Sequence, residues 1–356
     1  MSERILVINP GSTSTKIAVY EGEQQVFLKN ISHPTSELEV FPSNYAQLSY
    51  RINAIRGALQ EAGIPDNGFH CVMGRGGGIA GLQTGGYEVN PALLDSAENH
   101  PLFDHASNIG AALAYHFAEE SGCKAYIYDA VSAQALQPVA RVTGLDHMER
   151  QSICHVLNAR AMAMRYAKEQ GKRYEDMNLI VAHMGGGVTV TAHCRGRIID
   201  NCREDSGPMS PTRSGAADTM DIVDLCYSGK YTYEQMAKKV RGNAGLTDLL
   251  GTNSALAVEK RIAEGDEYAK LVYEAMAYQV AKYAAMMMGC FTEKPDAVIL
   301  TGGLANSKMV TSYIRSHLEH TIKVVLMPGE NEMEALAFGG LRILRGEEAV
   351  NPEYGA

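Results

Sequence analysis

Long apolar runs, paired cysteines and a surplus of basic residues are all missing from this 356-residue chain. No apolar run approaches about 18 residues, which argues against a membrane-spanning helix. The formal net charge is −9 and the pI is near 5.7, so neither a nucleic acid nor an anionic membrane is expected as a partner. The first apolar stretch is broken at Pro10 and Gly11, too early for a signal peptide.

The seven cysteines are scattered and include no CxxC pair. An odd number without paired spacing is typical of reduced thiols and predicts a cytoplasmic protein. A zinc site is the less favoured alternative, because the usual ligand spacing is missing. The length is sufficient for two domains with separate cores. No linker rich in Pro, Gly and Ser separates them, so we expect the two domains to share an interface.

A repeated pattern of strands and polar turns organises the chain. Residues 4–31 predict three strands in a meander, with the turn Gly11-Ser12-Thr13-Ser14-Thr15 between the first two. Residues 179–201 repeat this pattern about 175 residues later, and their first turn is His183-Met184-Gly185-Gly186-Gly187. The pattern favours a duplicated α/β lobe over two unrelated hairpins, with two phosphate-binding turns opposite one another across a cleft.

The helical and strand periodicities outside the repeats complete this α/β pattern. Apolar spacing predicts helices at 44–62 and 102–120, a short strand at 125–129 and a last helix at about 332–345. The last helix follows the second lobe in the chain and is expected to return to the first.

Three glycine-rich sites offer groups that can bind phosphate. Small residues let backbone N–H groups and hydroxyls approach an anion, and Lys16 adds positive charge beside the first turn. That turn is not a P-loop, because GxxxxGK[ST] is absent and a strand follows it. At the third site, Gly302-Gly303 joins a strand to a helix, where a purine or its ribose can approach the backbone. Each site alone could be an ordinary tight turn, but their order favours nucleotide binding.

These three sites resemble the motifs of a known superfamily. VINPGSTSTK (7–16), HMGGGVTV (183–190) and VILTGGLANS (298–307) are similar to the first phosphate, second phosphate and adenosine motifs of acetate and sugar kinases, Hsp70 and actin. DHASNIG (104–110) and SPTRSG (210–215) bring the resemblance closer to the acetate and butyrate kinase family, and within it to the butyrate branch.

The resemblance implies a fold and an activity. The fold is α/β, with two duplicated ribonuclease-H-like lobes of the actin-like ATPase type and a cleft between them. The activity is reversible, direct in-line transfer of the γ-phosphoryl of ATP to a short-chain carboxylate, giving an acyl phosphate and ADP and requiring Mg²⁺. We expect residues 1–148 and about 332–356 to form the acid-binding lobe, and residues 149–331 the nucleotide-binding lobe. A homo-oligomer built from dimers is also expected.

Four residues are expected to act in catalysis. A guanidinium suits the spread charge of a transferring phosphoryl group, which favours Arg213 in its polar loop. The resemblance implies that His155 donates a hydrogen bond to the phosphoryl group during its transfer, and that Arg75 binds the carboxylate of the acid. Asp129 ends a predicted strand and is the favoured magnesium ligand. No general base is needed, because a short-chain acid is already ionised at pH 7.

The metal and nucleotide ligands follow from the same motifs. Asn9 and Asp129 are expected at the metal, with a second carboxylate from Glu332 or Glu334; ungapped alignment favours Glu332. Asp129 could instead cap a helix at 131–136. The nucleotide is expected to contact Asn9, Ser12, Ser14, Lys16, His183, Gly185, Gly186, Gly187, Gly302 and Gly303.

The sequence departs from the acetate kinase pattern in three ways. Residues 104–108 read Asp-His-Ala-Ser-Asn where that pattern has His-Asn-Pro-Ala-Asn, so no role is assigned to His105. Gly186 replaces an asparagine, and the chain is shorter. These differences point to the butyrate branch and a larger acyl pocket. The alternatives are a sugar or polyol kinase, which needs an aspartate base near the hydroxyl, and a nucleotide-gated interaction protein.

Overall fold

The computed structural model describes residues 2–203 and 205–356. The chain forms two compact units: unit 1 comprises residues 2–134 and 331–356, and unit 2 comprises residues 135–330. Within the described residues, no helix is both long enough and apolar enough to span a bilayer.

Unit 1 is a mixed sheet with helices. Its strands are β1 (Arg4–Pro10), β2 (Ser14–Glu21), β3 (Gln24–Ser32), β4 (Cys71–Arg75), β5 (Gly86–Glu88) and β6 (Lys124–Tyr128). Its helices are α1 (Thr35–Leu38), α2 (Leu48–Glu61), α3 (Pro91–Asn99), α4 (Gly110–Ser121) and, near the end of the chain, α13 (Glu332–Leu344).

The strand order in unit 1 follows from the lengths of its connections. The order among the described strands is β3-β2-β1-β4-β6-β5. Turns of a few residues join β1 to β2 and β2 to β3, so these pairs are antiparallel. Helix α2 lies between β1 and β4 in the chain, and α4 lies between β4 and β6; both strand pairs are parallel. Helix α13 packs on β1 and β4.

Unit 2 is a second mixed sheet with helices. Its strands are β7 (Asn178–Met184), β8 (Val188–Cys194), β9 (Arg197–Cys202), β10 (Ala297–Gly302) and β11 (Val324–Pro328). Its helices are α5 (Pro138–Arg141), α6 (Val156–Glu169), α7 (Thr219–Tyr227), α8 (Tyr233–Arg241), α9 (Leu246–Leu250), α10 (Ala255–Ala263), α11 (Glu267–Met287) and α12 (Lys308–Leu318).

The two sheets repeat one topology. In the described residues of unit 2 the strand order is β11-β10-β7-β8-β9. The pairs β7/β8 and β8/β9 are antiparallel, whereas β7/β10 and β10/β11 are parallel. Unit 1 has the same sequence of directions from β3 to β6. The predicted duplication of an α/β lobe is therefore confirmed, and each lobe carries its glycine turn between its first two strands.

Apolar side chains bury both faces of each sheet. In unit 1, Leu6, Ile8 and Val72 lie in one core together with Ile55 and Leu59 of α2. In unit 2, α11 and α12 cover one face of the sheet and α6 covers the other.

Several predicted elements differ in extent from the observed ones. Helix α2 begins at Leu48 rather than 44, after a 3-10 turn at Tyr45–Gln47. The helix expected at 102–120 begins as an α-helix only at Gly110, because a 3-10 turn precedes it. Strand β5 and helix α3 were not predicted.

Candidate active site

The first glycine turn connects β1 and β2 in unit 1. The N–H of Gly11 donates to the carbonyl of Ser14 at 2.8 Å and closes the turn. Ser12 is exposed and Ser14 is half-buried, so both hydroxyls lie near the surface. Lys16 is the neighbour of Asn9 across the β1/β2 ladder. The turn thus brings the predicted nucleotide ligands of unit 1 together.

Asn9, Arg75 and Glu332 meet at the ends of β1, β4 and the start of α13. The Asn9 amide Nδ2 donates to Glu332 Oε2 at 2.7 Å. Arg75 forms an ion pair with the other oxygen of the same carboxylate. Both charged side chains are about one-fifth exposed.

Glu334 lies beside a different residue. Burial raises the pKa of Tyr20 to about 12, and the charge of Glu334 adds to this rise. Of the two candidate carboxylates, Glu332 is therefore the one that contacts Asn9. The role of Glu332 at a metal stays a prediction.

Asp129 follows β6 in a backbone conformation that is uncommon outside glycine. Its φ is +45° and its residue is 4% exposed. Its Oδ1 accepts from the N–H of Gly85 at 2.8 Å, and its own N–H donates to the Gly85 carbonyl at 3.1 Å. Residues 131–136 form no helix, so Asp129 is not the helix cap considered as an alternative. A buried carboxylate in left-handed backbone is the kind of strained residue that functional sites contain.

The donor set in unit 1 suits Mg²⁺. This ion takes oxygen ligands and keeps part of its water shell, and Asn9, Asp129 and Glu332 supply an amide and two carboxylates. In the described part of the chain, no group of three or more His, Cys, Asp or Glu side chains is arranged to bind a metal. That Asn9, Asp129 and Glu332 together hold one ion stays a prediction.

The second glycine turn, in unit 2, is held by the loop that carries Arg213. The N–H of Gly185 donates to the carbonyl of Gly187 at 2.9 Å. The Gly186 carbonyl accepts from the hydroxyls of Ser210 and Thr212, at 2.7 and 2.9 Å. Because the N–H of Arg213 in turn donates to Ser210 Oγ at 3.1 Å, this arginine is held next to the glycine turn.

The two candidate histidines stack on each other. The ring centroids of His155 and His183 are 4.0 Å apart, and the planes are inclined by 18°. His155 Nδ1 lies 2.9 Å from Thr189 Oγ1, and its backbone immediately precedes α6. His183 is 3% exposed, and its Nδ1 lies 2.8 Å from Nδ2 of Asn158.

The third glycine site lies directly against the second. Gly302 has φ +87°, and a methyl group there would lie 2.4 Å from the carbonyl oxygen of Met184. Only glycine allows this approach between the ends of β10 and β7. Asn158 Nδ2 also donates to Thr301 Oγ1 at 3.2 Å. Unit 2 thus brings His155, the second turn, the Arg213 loop and Gly302-Gly303 into one region.

The glycines after Arg75 pack against residues 103–108. A methyl group at Gly77 would lie 2.3 Å from Asn108 Oδ1, and one at Gly78 would lie 2.8 Å from the Phe103 ring. The N–H of Gly78 donates to Asn108 Oδ1 at 2.8 Å. Burial and, secondly, the Arg75 charge lower the pKa of His105. The segment that departs from the acetate kinase pattern is therefore next to Arg75.

Two residues that contact the first and second glycine turns were not predicted from the sequence. Arg51 contacts the first turn from α2, and Asn158 contacts His183 and Thr301 from α6. Arg51 had a detectable signal, because it lies four residues before Ile55 on the buried face of α2. Asn158 was not assigned a role, since a single asparagine in a helix does not indicate which residues it contacts.

Two duplicated lobes of this topology, each with a polar turn between its first two strands, define an actin-like ATPase fold. The model of the acetokinase family matches residues 132–337, which is more than half of the chain. The protein therefore belongs to the acetokinase family, and with it to the ATP-dependent carboxylate kinases. The family match begins after most of unit 1, so assignments in that unit depend on fold and local pattern.

Solved structures support the same fold over nearly the whole chain. The acetate kinase of Porphyromonas gingivalis is 17% identical, with a TM-score of 0.78 over 96% of this chain and 100% of that one. The propionate kinase of Francisella tularensis subsp. tularensis SCHU S4 is 18% identical, with a TM-score of 0.73 over 94% and 98%. The acetate kinase of Entamoeba histolytica is 14% identical, with a TM-score of 0.76 over 95% and 99%.

Proposed function

We propose that this protein transfers the γ-phosphoryl group of ATP to the carboxylate of a short-chain fatty acid of the butyrate type, reversibly and by direct in-line transfer. The observation that carries the acyl specificity is the packing of residues 103–108 on the glycines that follow Arg75. This is the segment in which the sequence departs from the acetate kinase pattern.

The acid would be bound in unit 1. Arg75 is half-buried at the end of β4 and forms an ion pair with Glu332. Its guanidinium thus already binds one carboxylate and can bind that of the substrate. One substrate oxygen would be held there while the other attacks the γ-phosphorus. The bond from this phosphorus to the β,γ-bridging oxygen breaks, and ADP leaves. No proton has to be removed, because the acid is ionised at pH 7.

The nucleotide would be bound mainly in unit 2. The second turn offers backbone N–H groups without side chains, and Gly302-Gly303 leaves room for a ribose or purine. Arg213 would meet the charge on the transferring phosphoryl group, and His155 would hydrogen-bond it. A guanidinium beside the phosphoryl group stabilises the transition state by neutralising charge on its equatorial oxygens.

Magnesium would be held by Asn9, Asp129 and Glu332. When bound, Mg²⁺ neutralises phosphate charge and orients the polyphosphate for in-line attack. Glu332 is held by both Asn9 and Arg75, so this carboxylate links the proposed metal and acid subsites. The carboxylate of Asp129 is the second one at this proposed site. It accepts a hydrogen bond from the N–H of Gly85, which fixes its orientation.

The test is a substrate series with the purified protein, ATP and Mg²⁺, in which acyl phosphate is trapped as a hydroxamate. Acetate, propionate, butyrate, isobutyrate and valerate are compared by kcat/KM. Each buried methylene contributes about 0.8 kcal/mol, or about fourfold. Butyrate should therefore exceed acetate by about 15-fold if both extra methylenes are enclosed.

Two outcomes would reject parts of this proposal. Equal kcat/KM for acetate and butyrate would remove the butyrate assignment and leave a general carboxylate kinase. Turnover of ATP with glycerol or a hexose, but with none of the acids, would favour the hydroxyl-directed alternative.

The proposal includes a cytoplasmic setting, which suits a chain whose seven cysteines are all free thiols. It also includes a homo-oligomer built from dimers. Light scattering after size-exclusion chromatography tests the second point, and a monomer at micromolar concentration would contradict it.

A further inference from the structure

Arg51 is a fully buried cation that holds the first glycine turn. Its residue is 0% exposed. Nη1 donates to the carbonyls of Gly11 and Ser14 at 2.8 and 3.0 Å, and Nη2 donates to the carbonyl of Ser12 at 3.2 Å. One guanidinium therefore binds three carbonyls of a single turn.

The remaining contacts of Arg51 are also neutral. Nε and Nη2 both donate to Gln47 Oε1, at 3.0 and 2.8 Å, and Nη1 also donates to Thr15 Oγ1 at 3.0 Å. Within residues 2–203 and 205–356, no carboxylate is paired with Arg51. Burial lowers the pKa of Arg51 to about 10, so the side chain is still charged at neutral pH.

A buried cation without an anion is costly, and most buried charges are paired. The neutral carbonyls accept the hydrogen bonds that Arg51 donates, but they leave its net charge uncompensated. An anion bound on the other side of the turn would supply the missing negative charge, across one layer of backbone. In a medium of low dielectric constant such an attraction is large.

The orientation of the peptides shows where this anion would bind. In a trans peptide the carbonyl of one residue and the N–H of the next point in opposite directions. The Gly11 and Ser12 carbonyls face Arg51, so the N–H groups of Ser12 and Thr13 point away from it. Neither N–H has a protein acceptor in the part of the chain that the structure describes. Both residues are exposed, and successive outward N–H groups form an anion-binding nest.

We propose that Arg51 is a positioning residue for nucleotide binding. It turns the N–H groups of Ser12 and Thr13 toward the polyphosphate, and its buried charge is compensated by that polyphosphate. This inference rests on the proposed function only in naming the anion as the phosphate tail of ATP or ADP.

The sharpest test is Gln47→Glu, which keeps the shape of the side chain and gives Arg51 a carboxylate partner. A purely structural role for Arg51 would be preserved or strengthened by this ion pair. If the charge serves the nucleotide, ADP should bind about fivefold more weakly or worse by calorimetry, without a lower apo Tm. Gln60→Glu is the matched control, because it adds the same charge at an exposed position of α2.

A second variant removes the charge itself. Arg51→Gln should raise the Kd for ADP and the KM for ATP at least about tenfold, with the KM for the acid changed less than about twofold. Arg56→Gln is the control, since Arg56 lies on the same helix and pairs with Glu120 at the surface.

The outcomes separate this inference from the proposed function. Unchanged ADP affinity in Gln47→Glu would overturn the role of the charge, even if Arg51→Gln failed to fold. Weaker ADP binding in Gln47→Glu, together with a wild type that phosphorylates no acid, would support Arg51 and reject the carboxylate kinase. Equal losses for ATP and acid in Arg51→Gln would also overturn the inference, because a general disturbance of unit 1 would explain them.

Discussion

Replacing Asn158 by aspartate should remove the Nε2–H donor of His183, while the side chain at position 158 keeps its size and shape. Asn158 Nδ2 lies 2.8 Å from His183 Nδ1, and an amide nitrogen can only donate, so we assign Nδ1 as the acceptor and place the ring proton on Nε2. A methyl group at Gly185 would lie 3.3 Å from Nε2, so Nε2 lies beside the second glycine turn. Aspartate can only accept at neutral pH. It would draw the proton to Nδ1 and leave a lone pair on Nε2.

We propose that the Nε2–H of His183 donates to a phosphate oxygen of the nucleotide, and the loss of this hydrogen bond sets the size of the effect. A hydrogen bond to a charged phosphate oxygen contributes about 1.5–3 kcal/mol. Its removal should lower kcat/KM for ATP roughly 10- to 150-fold. Asparagine also donates to Thr301 Oγ1 at 3.2 Å, and aspartate keeps this contact by accepting from the hydroxyl. We therefore expect a smaller effect on folding than on activity.

The assay combines steady-state kinetics with ¹⁵N chemical shifts of selectively labelled histidines, which distinguish the two tautomers. Asn201→Asp is the control, since Asn201 is also fully buried in unit 2 and donates to Ser152 Oγ at 2.9 Å, outside the candidate site. Wild-type kcat/KM in Asn158→Asp with a switched tautomer would refute the assigned use of Nε2. An unswitched tautomer would refute the reasoning about Asn158 itself.

Three further predictions concern the arginines and the buried histidines. Arg213→Ala should lower kcat by about 10³, because a guanidinium at a transferring phosphoryl group contributes on that scale; unchanged turnover in a stopped assay would remove Arg213 from the mechanism. Arg75→Ala should raise the KM for the acid and leave the Kd for ADP nearly unchanged, and a selective loss of ADP binding would contradict its assignment to the acid. Burial and then Arg51 lower the pKa of His33 to about 4, and burial and then Arg160 lower that of His193 to about 3. As the pH falls, the unfolded chain therefore takes up these protons first. The free energy of unfolding should be highest above pH 6.5 and fall by roughly 1.4 kcal/mol per pH unit per histidine between pH 6.5 and the folded-state pKa of that histidine. Equal urea midpoints at pH 7 and pH 5 would contradict this.

The sequence predicts the duplicated lobes because their signals are local. A strand, a polar turn and a second strand lie within about twenty residues, and the repeat at 179–201 has the same order of strands and turns. The observed strands β1, β2 and β3 extend the predicted ones by only one or two residues. Strand β5 was missed because three residues are too few to show a period of two.

The missed contacts are long-range. Arg51 binds carbonyls that are 37 to 40 residues away in the chain, and Asn158 binds Thr301 across 143 residues. The spacing of Arg51 from Ile55 indicates the buried face of α2, but the sequence does not show that Arg51 binds the carbonyls of the first glycine turn. The pairing of Glu332 with Asn9, across 323 residues, could be proposed from sequence only through the family resemblance.

The two glycine turns share a place in the topology but are held by different means. In unit 1 a buried guanidinium binds the carbonyls of Gly11, Ser12 and Ser14. In unit 2 two hydroxyls bind the carbonyl of Gly186 instead, and they come from the loop of Arg213. The second turn is therefore held by the loop of Arg213, whereas the first turn is held by helix α2. The Arg213 loop and the second turn are thus joined by side-chain hydrogen bonds, so a substitution at Ser210 or Thr212 should disturb the positions of both.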